Sequence, residues 1–486
     1  MDNNTIKSKA ISSVVWKFME RIGAQLVSMI VAIIIARILS PEDYSVVSLV
    51  TIFFTFANIL ISGGFNASLI QKKNADAEDY SVVLYISLIC SIVIYVILFF
   101  TAPWISRIYR QPSIILIIRV MGLSLPVNAV KSIWCAYISA NLDFKKFFFS
   151  TLGGTIASAF IGIGMALNGA GAWALVAQQM TNICIDTLIL ICTTRIKFVR
   201  KISFDRVKSL FKYGWGILLS SLLGTIYTQI IPLVIGVKYT AADLAFYTKG
   251  RSFPELISST SVNTLSAVMF PTMAKFQDDK EKILQYTRLF IQVSSYLAFP
   301  SMLGLFIVSD NFIVVLLTEK WLPTSPYIKI FCVACMFDMI HIGNCETIKA
   351  IGRSDIYLVM EIIKKSAYFI TVFLFLRFTN SPEMMSLSFV VCSVVAFVVN
   401  SIPNQKLIGY MIKDQLIDIL PNLLTAIAMV IPCFYVGRLD MPAIILLILQ
   451  IMVGTISYVL ISVVTRNKNF MYIWGYIKSI RRAKHD

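Results

Sequence analysis

The chain has 486 residues, of which 57% are hydrophobic and 14% are charged. This apolar fraction and a mean hydropathy of +0.78 exceed what a soluble domain needs, so a soluble fold is excluded. The net charge of +17 does not indicate nucleic-acid binding, because the Lys and Arg residues concentrate in alternate connections between apolar segments.

Fourteen apolar stretches of helix length follow one another along the chain, and each is long enough to cross a bilayer. We therefore predict an all-α polytopic membrane protein with about fourteen transmembrane helices. The predicted spans are 10–36, 43–66, 80–104, 113–138, 149–168, 171–194, 213–237, 246–272, 286–309, 326–349, 356–377, 384–403, 418–437 and 441–465.

The distribution of Lys and Arg predicts the orientation of these spans. Basic residues crowd into the connections on the amino-terminal side, above all the loop Arg195–Lys212 and the tail after Arg466. Since such an excess in short loops marks the cytoplasmic side, both termini are expected in the cytoplasm. Met1–Ala10 is polar and no small-residue cleavage site follows the first apolar run, so this run is expected to serve as an uncleaved membrane signal.

The chain also repeats itself. With an offset of 200 residues, Ile38–Tyr44 aligns with Lys238–Leu244, and the acidic loop Asp76–Asp79 aligns with Phe276–Asp279. Six spans per copy is an even number, so both copies enter the membrane from the same side, as parallel repeats. The pattern predicts two pseudo-symmetric six-helix lobes joined by a basic linker and followed by two helices and a basic tail. The predicted bounds are 1–194 and 213–409 for the lobes, 195–212 for the linker, 410–465 for the added helices and 466–486 for the tail.

The linker is predicted to have an amphipathic character. Its apolar side chains suit a position on the anionic inner leaflet, although its charge can also serve only to set the topology. These apolar residues are Ile202, Phe204, Val207, Leu210 and Phe211.

Two facing lobes are typical of an alternating-access transporter, whose site lies near the bilayer midplane. Ionised groups at that depth cost roughly 2.5–3.5 kcal/mol each on insertion scales, so we expect them to face a cavity and to pair with one another. The candidate cationic groups are Lys17, Arg21, Arg119, Lys131, Lys249 and Arg251. The candidate charge-pairing or coupling groups are Glu20, Asp186, Glu255, Asp338 and His341.

Other roles remain open for several of these residues. Lys17, Lys249 and Arg251 lie near the boundaries of their spans, where a long basic side chain can simply reach the membrane surface. His341 lies one turn from Asp338, where it can relay protons or only pack against a neighbouring helix.

Motifs for catalysis are missing from the sequence. There is no G-x-x-x-x-G-K-[ST], G-x-S-x-G or H-E-x-x-H pattern, so we expect neither ATP hydrolysis nor an enzyme, and no cofactor or metal. Asp76, Glu78 and Asp79 could in principle hold a metal, but a solvated loop is the preferred interpretation. The pair Cys332 and Cys335 has metal-site spacing, but it lies in an apolar helix with no second pair.

Four segments carry a resemblance to a known family. Ala36–Tyr44 resembles the A-R-x-L-x-P-x-D-[FY] motif of Wzx-type polysaccharide flippases, and Asn141–Phe147, Phe246–Arg251 and Leu317–Pro326 are similar to further landmarks in the same order. The resemblance covers about the first 410 residues and is strongest to the colanic-acid and teichuronic-acid exporter branch of the MATE-like superfamily. Ser45 departs from the glycine that the family usually has there.

The resemblance implies a flippase of the bacterial cytoplasmic (inner) membrane for surface polysaccharide biosynthesis. Such a protein moves polyprenyl-pyrophosphate-linked oligosaccharide to the outer leaflet, and its implied partners are membrane lipids, a polysaccharide polymerase and a chain-length regulator. Two alternatives remain: a cation-coupled drug antiporter of the same fold, which would need a less basic cavity, and a membrane-embedded polymerase or ligase, which would need a long outer loop.

Overall fold

The computed structural model describes residues 3–62, 64–72, 75–141, 143–199, 204–472 and 474–475. Sixteen α-helices lie in these ranges, together with one 3-10 helix, Glu319–Thr324. The α-helices are α1 (Asn3–Ile38), α2 (Pro41–Ser62), α3 (Phe65–Gln71), α4 (Ala77–Tyr109), α5 (Ile114–Gly122), α6 (Ser124–Ala140), α7 (Phe144–Leu167), α8 (Ala172–Thr193), α9 (Phe204–Lys238), α10 (Ala241–Ala274), α11 (Lys280–Leu317), α12 (Ser325–Ala350), α13 (Ser354–Phe378), α14 (Pro382–Ile408), α15 (Ile412–Val436) and α16 (Ala443–Val464).

The helices confirm the predicted all-α membrane fold. Within the described ranges, eleven helical segments are long and apolar enough to cross a membrane. They comprise α2, α4, α5 with α6, α7, α8, α9, α11, α12 with the preceding 3-10 helix, α14, α15 and α16. The other predicted spans coincide with α1, α10 and α13, so the count of fourteen stays a prediction, and the chain is a multi-pass membrane protein.

The structure contains one local match to the predicted repeat, a pair of similar helix starts 200 residues apart. Before α2, the Ser40 hydroxyl donates to the Asp43 carboxylate at 3.0 Å and accepts from the Asp43 N–H at 3.2 Å. Before α10, Thr240 and Asp243 make the same two hydrogen bonds at 2.6 and 3.2 Å. Both are capping boxes, in which two side chains satisfy the open N–H groups of a first helical turn.

One predicted span is divided in two. The sequence suggests a single helix over 113–138, whereas the structure ends α5 at Gly122 and begins α6 at Ser124. Pro126 lacks the N–H that would continue the helical ladder and its ring crowds the preceding turn, which explains the break. The corresponding place in the second repeat has Pro326 at the start of α12, after the 3-10 helix.

The chain separates into two compact units, Met1–Ala245 and Phe246–Asp486. In the first unit, α9 packs on α2 and α3, although the repeat assigns it to the second copy. Gly64 and Gly214 make this possible, because a Cβ added to Gly214 would lie 2.7 Å from the Gly64 carbonyl oxygen. The predicted lobe bounds therefore describe the sequence repeat and stay a prediction. The short helix α3 was not indicated by the sequence.

In the second unit, α15 and α16 pack on α11. Arg288 of α11 donates to both oxygens of Asp418 at 2.8 and 3.1 Å, and the Tyr410 hydroxyl donates to the same carboxylate at 2.7 Å. Further along α11, the Tyr458 hydroxyl of α16 donates to the Tyr296 carbonyl at 2.8 Å. These bonds attach the two added helices to the second repeat.

Candidate functional site

The first unit brings together two of the predicted charged residues. The Lys131 ammonium on α6 lies 2.5 Å from a carboxylate oxygen of Asp186 on α8. The Asp186 side chain is 4% exposed and that of Lys131 is 26% exposed. A carboxylate so deeply buried needs a counter-charge, and Lys131 supplies it.

The surroundings of Asp186 are packed against α7. A Cβ added to Gly154 of α7 would lie 3.0 Å from the Asp186 Cβ, so glycine allows the two helices to approach closely at this point. Asn182, one turn earlier on α8, donates to the hydroxyls of Thr155 and Ser158 at 3.5 and 3.4 Å. Asn182 therefore contributes to the packing of α8 against α7.

Arg119 lies elsewhere in the first unit, against aromatic rings of α4. Its guanidinium carbon lies 4.3 Å from the centre of the Phe99 ring, and the Tyr95 hydroxyl donates to the Arg119 carbonyl at 3.2 Å. Among the described residues, the buried Nε of Arg119 has no hydrogen-bond partner. A cation over an aromatic face keeps favourable electrostatics without an acidic partner.

In the second unit, Arg251 and Glu255 pair along α10 at 2.6 Å. The guanidinium of Arg251 also lies 4.8 Å from the centre of the Phe389 ring on α14. One turn further along α14, the Ser393 hydroxyl donates to the Asp338 carboxylate at 3.1 Å. Because residues four apart share a helix face, α14 presents one face to both Arg251 and Asp338.

His341 connects Asp338 to a buried amide. Its Nε2 lies 3.1 Å from the Asp338 carboxylate, and its Nδ1 lies 3.2 Å from the amide nitrogen of Asn400. The same Asn400 nitrogen donates to the His341 carbonyl at 3.3 Å, which fixes the orientation of the amide. The His341 ring therefore lies between the Asp338 carboxylate and the Asn400 amide, within hydrogen-bond distance of both.

Three predicted residues of the first span, Lys17, Glu20 and Arg21, belong to α1, but their side chains lie outside the described part of the structure. Lys249 is a half-buried residue of α10, two positions before Arg251. The assignment of these four residues to a substrate site stays a prediction.

Sequence reasoning missed a buried amide network in the second unit. Asn344 donates to Gln415 at 2.9 Å and to Ser401 at 3.1 Å, and Asn404 donates to the Asn344 side-chain oxygen at 2.7 Å. All four side chains are fully buried. The available signal was the presence of amides within or next to apolar runs.

The acidic segment Asp76–Asp79, at the start of α4, forms a cluster of ion pairs. Arg206 of α9 lies 2.6 Å from Asp76, 3.0 Å from Glu78 and 3.1 Å from Asp79, and Lys72 lies 2.6 Å from Asp79. The hydrogen bond from Arg206 lowers the pKa of Asp76 to about 2. The acids therefore bind these cations, and the interpretation as a merely solvated loop is wrong.

The described part of the linker contacts helices of the first unit. The Val199 N–H donates to the Ser81 hydroxyl at 2.8 Å, and the Trp134 indole donates to the Thr194 carbonyl at 2.9 Å. Leu210 is buried in an apolar cluster, against which Val207 packs. The expected leaflet contact is therefore wrong for Leu210, which is buried, and stays a prediction for the partly buried Val207 and the exposed Phe211. Ile202 and the side chain of Phe204 lie outside the described part of the structure.

A mostly apolar cavity of about 370 Å³ lies in the second unit between α11, α15 and α16. Pro300 and Gly304 line it from α11, Met429 from α15, and Gly454 and Tyr458 from α16. It therefore lies where the added helices meet the second repeat.

Two solved structures share this fold. The lipid II flippase MurJ, in an inward closed conformation, matches with a TM-score of 0.74 at 15% identity, over 94% of this chain and 99% of that chain. An inward-facing multidrug resistance MATE family transporter of the MOP superfamily matches with a TM-score of 0.61 at 14% identity, over 79% and 95%. These likenesses confirm the MATE-like fold.

Curated relatives and a family match agree with the fold. The succinoglycan biosynthesis transport protein ExoT of Rhizobium meliloti (strain 1021) is 23% identical over 68% of this chain and 67% of its own. The lipopolysaccharide biosynthesis protein WzxC of Escherichia coli (strain K12) is 23% identical over 74% of each chain. Residues 34–326 match the family described as polysaccharide biosynthesis protein. The chain therefore belongs to the polysaccharide biosynthesis protein family.

Proposed function

We propose that the chain is a flippase that moves polyprenyl-pyrophosphate-linked oligosaccharides from the inner to the outer leaflet by alternating access. The observation that carries this proposal is the presence of cationic side chains in the helices of a polysaccharide biosynthesis protein. Lys131 and Arg251 are ion-paired and Arg119 lies on an aromatic ring. Cations at membrane depth are costly, and binding of an anionic substrate justifies keeping them.

The chemistry of these cations suits a diphosphate. Arginine can bind phosphate oxygens through two parallel N–H groups, and lysine presents a compact charge with three donors. Moving a diphosphate of charge about −2 outward across an inside-negative membrane releases about 4.6 kcal/mol per 100 mV, since each charge contributes about 2.3 kcal/mol. Basic binding residues therefore allow the membrane potential to contribute to transport.

The cavity between α11, α15 and α16 supports the lipid part of the proposal. Its lining is mostly apolar and its volume is about 370 Å³, so it can accommodate a segment of a polyprenyl chain. A carrier of a lipid-linked sugar needs an apolar surface for the chain as well as polar groups for the head.

The proposed location is the bacterial cytoplasmic membrane with both termini in the cytoplasm, as the Lys and Arg distribution indicates. In this setting the protein acts as a transporter and not as an enzyme. A polysaccharide polymerase and a chain-length regulator are proposed partners, because export of repeat units requires their assembly on the far side.

The proposal is tested in cells depleted of this protein while the glycan pathway stays active. Polyprenyl lipids are extracted, the attached sugars are identified by mass, and their leaflet is assigned with a membrane-impermeant glycan-binding probe. We expect complete diphosphate-linked repeat units to accumulate on the cytoplasmic face and to disappear when the wild-type protein is restored. Normal export without accumulation would refute the flippase proposal.

The second candidate is a cation-coupled antiporter, which the fold of multidrug MATE transporters and the Asp338–His341 pair favour. It predicts transport of small organic cations by purified protein in liposomes. Such transport together with normal glycan export would replace the flippase proposal.

A further inference from the structure

The Lys131–Asp186 pair has an asymmetry that an ordinary ion pair does not require. Both residues belong to the first unit, on α6 and α8, and their charged atoms lie 2.5 Å apart. The Asp186 side chain is 4% exposed, whereas 26% of the Lys131 side chain is accessible. A ligand can therefore approach Lys131 but not Asp186.

Asp186 depends strongly on this one cation. Within the described part of the chain, its second carboxylate oxygen is buried and has no hydrogen-bond partner. Its neighbour Asn182 donates to Thr155 and Ser158 instead. A buried carboxylate that loses its counter-ion is strongly destabilised, so this contact resists opening unless another interaction compensates.

Lys131, in contrast, can bind a second anion. An ammonium group has three donors, and Asp186 is the one carboxylate that the structure places on it among the described ion pairs. A diphosphate carries more charge than a single carboxylate and forms strong charge-assisted hydrogen bonds with lysine. Such a ligand can approach Lys131 from its accessible side and compete with Asp186 for the ammonium group.

We propose that Asp186 is an internal counter-ion that neutralises Lys131 in the empty carrier and yields it to the diphosphate of the lipid-linked substrate. This inference rests on the proposed flippase function and assigns roles within it: Lys131 contacts the substrate phosphate, and Asp186 is a positioning residue that acts through Lys131. The exchange keeps the charge of Lys131 compensated both before and after loading.

The exchange has a functional consequence. A lysine without an acidic partner would hold a diphosphate tightly and would release it slowly on the far side. Competition from Asp186 weakens binding and favours release, because the diphosphate must displace a contact whose loss leaves the buried Asp186 without its counter-ion. The empty carrier also returns without an uncompensated ammonium at membrane depth.

The test measures binding of farnesyl diphosphate to purified protein in detergent, together with flipping of a fluorescent prenyl diphosphate in liposomes. We expect Asp186→Asn to tighten binding at least tenfold, which corresponds to about 1.4 kcal/mol, and to slow repeated flipping. Lys131→Met is expected to weaken binding. Asp310→Asn is the matched control. Asp310 also pairs with a lysine on a neighbouring helix, at 3.1 Å from Lys329, but its side chain is 57% exposed. We expect Asp310→Asn to leave the affinity for farnesyl diphosphate unchanged.

A charge-swapped variant, Lys131→Asp with Asp186→Lys, keeps the test decisive if Asp186→Asn does not fold. A purely structural ion pair would regain both stability and binding in this variant. The proposed exchange instead predicts recovery of the melting temperature with farnesyl diphosphate binding still weakened, because the accessible position now carries a carboxylate.

The possible failures can be told apart. Wild-type binding and flipping with unchanged affinity in Asp186→Asn would overturn the counter-ion role and leave the flippase function standing. Full recovery of binding in the charge-swapped variant would also overturn it. Absence of binding and flipping by the wild type would overturn the flippase function together with this inference.

Discussion

The contact between Gly64 and Gly214 should make the first unit sensitive to a single added methyl group. A Cβ on Gly214 would lie 2.7 Å from the Gly64 carbonyl oxygen and 2.8 Å from its carbon, and these backbone atoms cannot rotate away. Gly214→Ala therefore forces α9 away from α2 and α3. Overpacking of this kind costs about 1–3 kcal/mol.

Gly216→Ala is the matched control for this prediction. Gly216 lies two residues further along α9, and a Cβ there would meet nothing within 4 Å. Both substitutions gain the same intrinsic helix preference of alanine over glycine, so the difference between them isolates the steric cost.

The assay is thermal unfolding of the purified variants in one detergent. We expect a lower melting temperature for Gly214→Ala than for Gly216→Ala, and the same loss for Gly64→Ala, whose Cβ would lie 2.5 Å from the Gly214 oxygen. Equal melting temperatures for Gly214→Ala and Gly216→Ala would refute the close packing of α9 on the first unit.

Two further predictions concern polar contacts of the first unit. Asp43→Asn should destabilise the folded protein more than Asp243→Asn, by about 1 kcal/mol. The reason is that Asp43 also accepts from the Ala172 N–H at 3.1 Å and so caps the start of a second helix, α8. Equal melting temperatures of the two variants would contradict this role. Arg206→Gln should lower the melting temperature at pH 6, since Arg206 lowers the pKa of Asp76 from 3.8 to about 2. A carboxylate with a lowered pKa favours folding above pH 3.8, and its contribution is lost as the pH falls toward 2. The melting temperatures of wild type and Arg206→Gln should therefore converge between pH 3.8 and pH 2. A difference that stays constant down to pH 2 would show that the ion pair does not stabilise the fold.

The local structure of this chain could largely be predicted from the sequence. Apolar runs specify membrane helices because every backbone N–H and C=O in lipid needs an internal partner. The repeat was predicted from segments that align at an offset of 200 residues, and in the structure Ser40 with Asp43 and Thr240 with Asp243 make the same capping contacts. Pro126 is the local signal for the break between α5 and α6, although the apolar run around it is long enough for one helix.

The candidate site could be predicted only as a set of residues. Spacing along a helix shows which charges share a face, and it nominated Lys131 and Asp186 separately. That they form one pair depends on how α6, α7 and α8 pack, and the small size of Gly154 allows that packing. The amides around Asn344 were missed for the same reason, since uncharged groups reveal their role only when their partners on other helices are known.

The sequence by itself determined the membrane class, most of the helices and the family, because these depend on local composition and spacing. Only the tertiary structure decided which charges meet, that α9 packs in the first unit, and that the linker residue Leu210 is buried. These features depend on contacts between residues far apart in the chain, such as Arg206 with Asp76, and no local pattern encodes a distance between two helices.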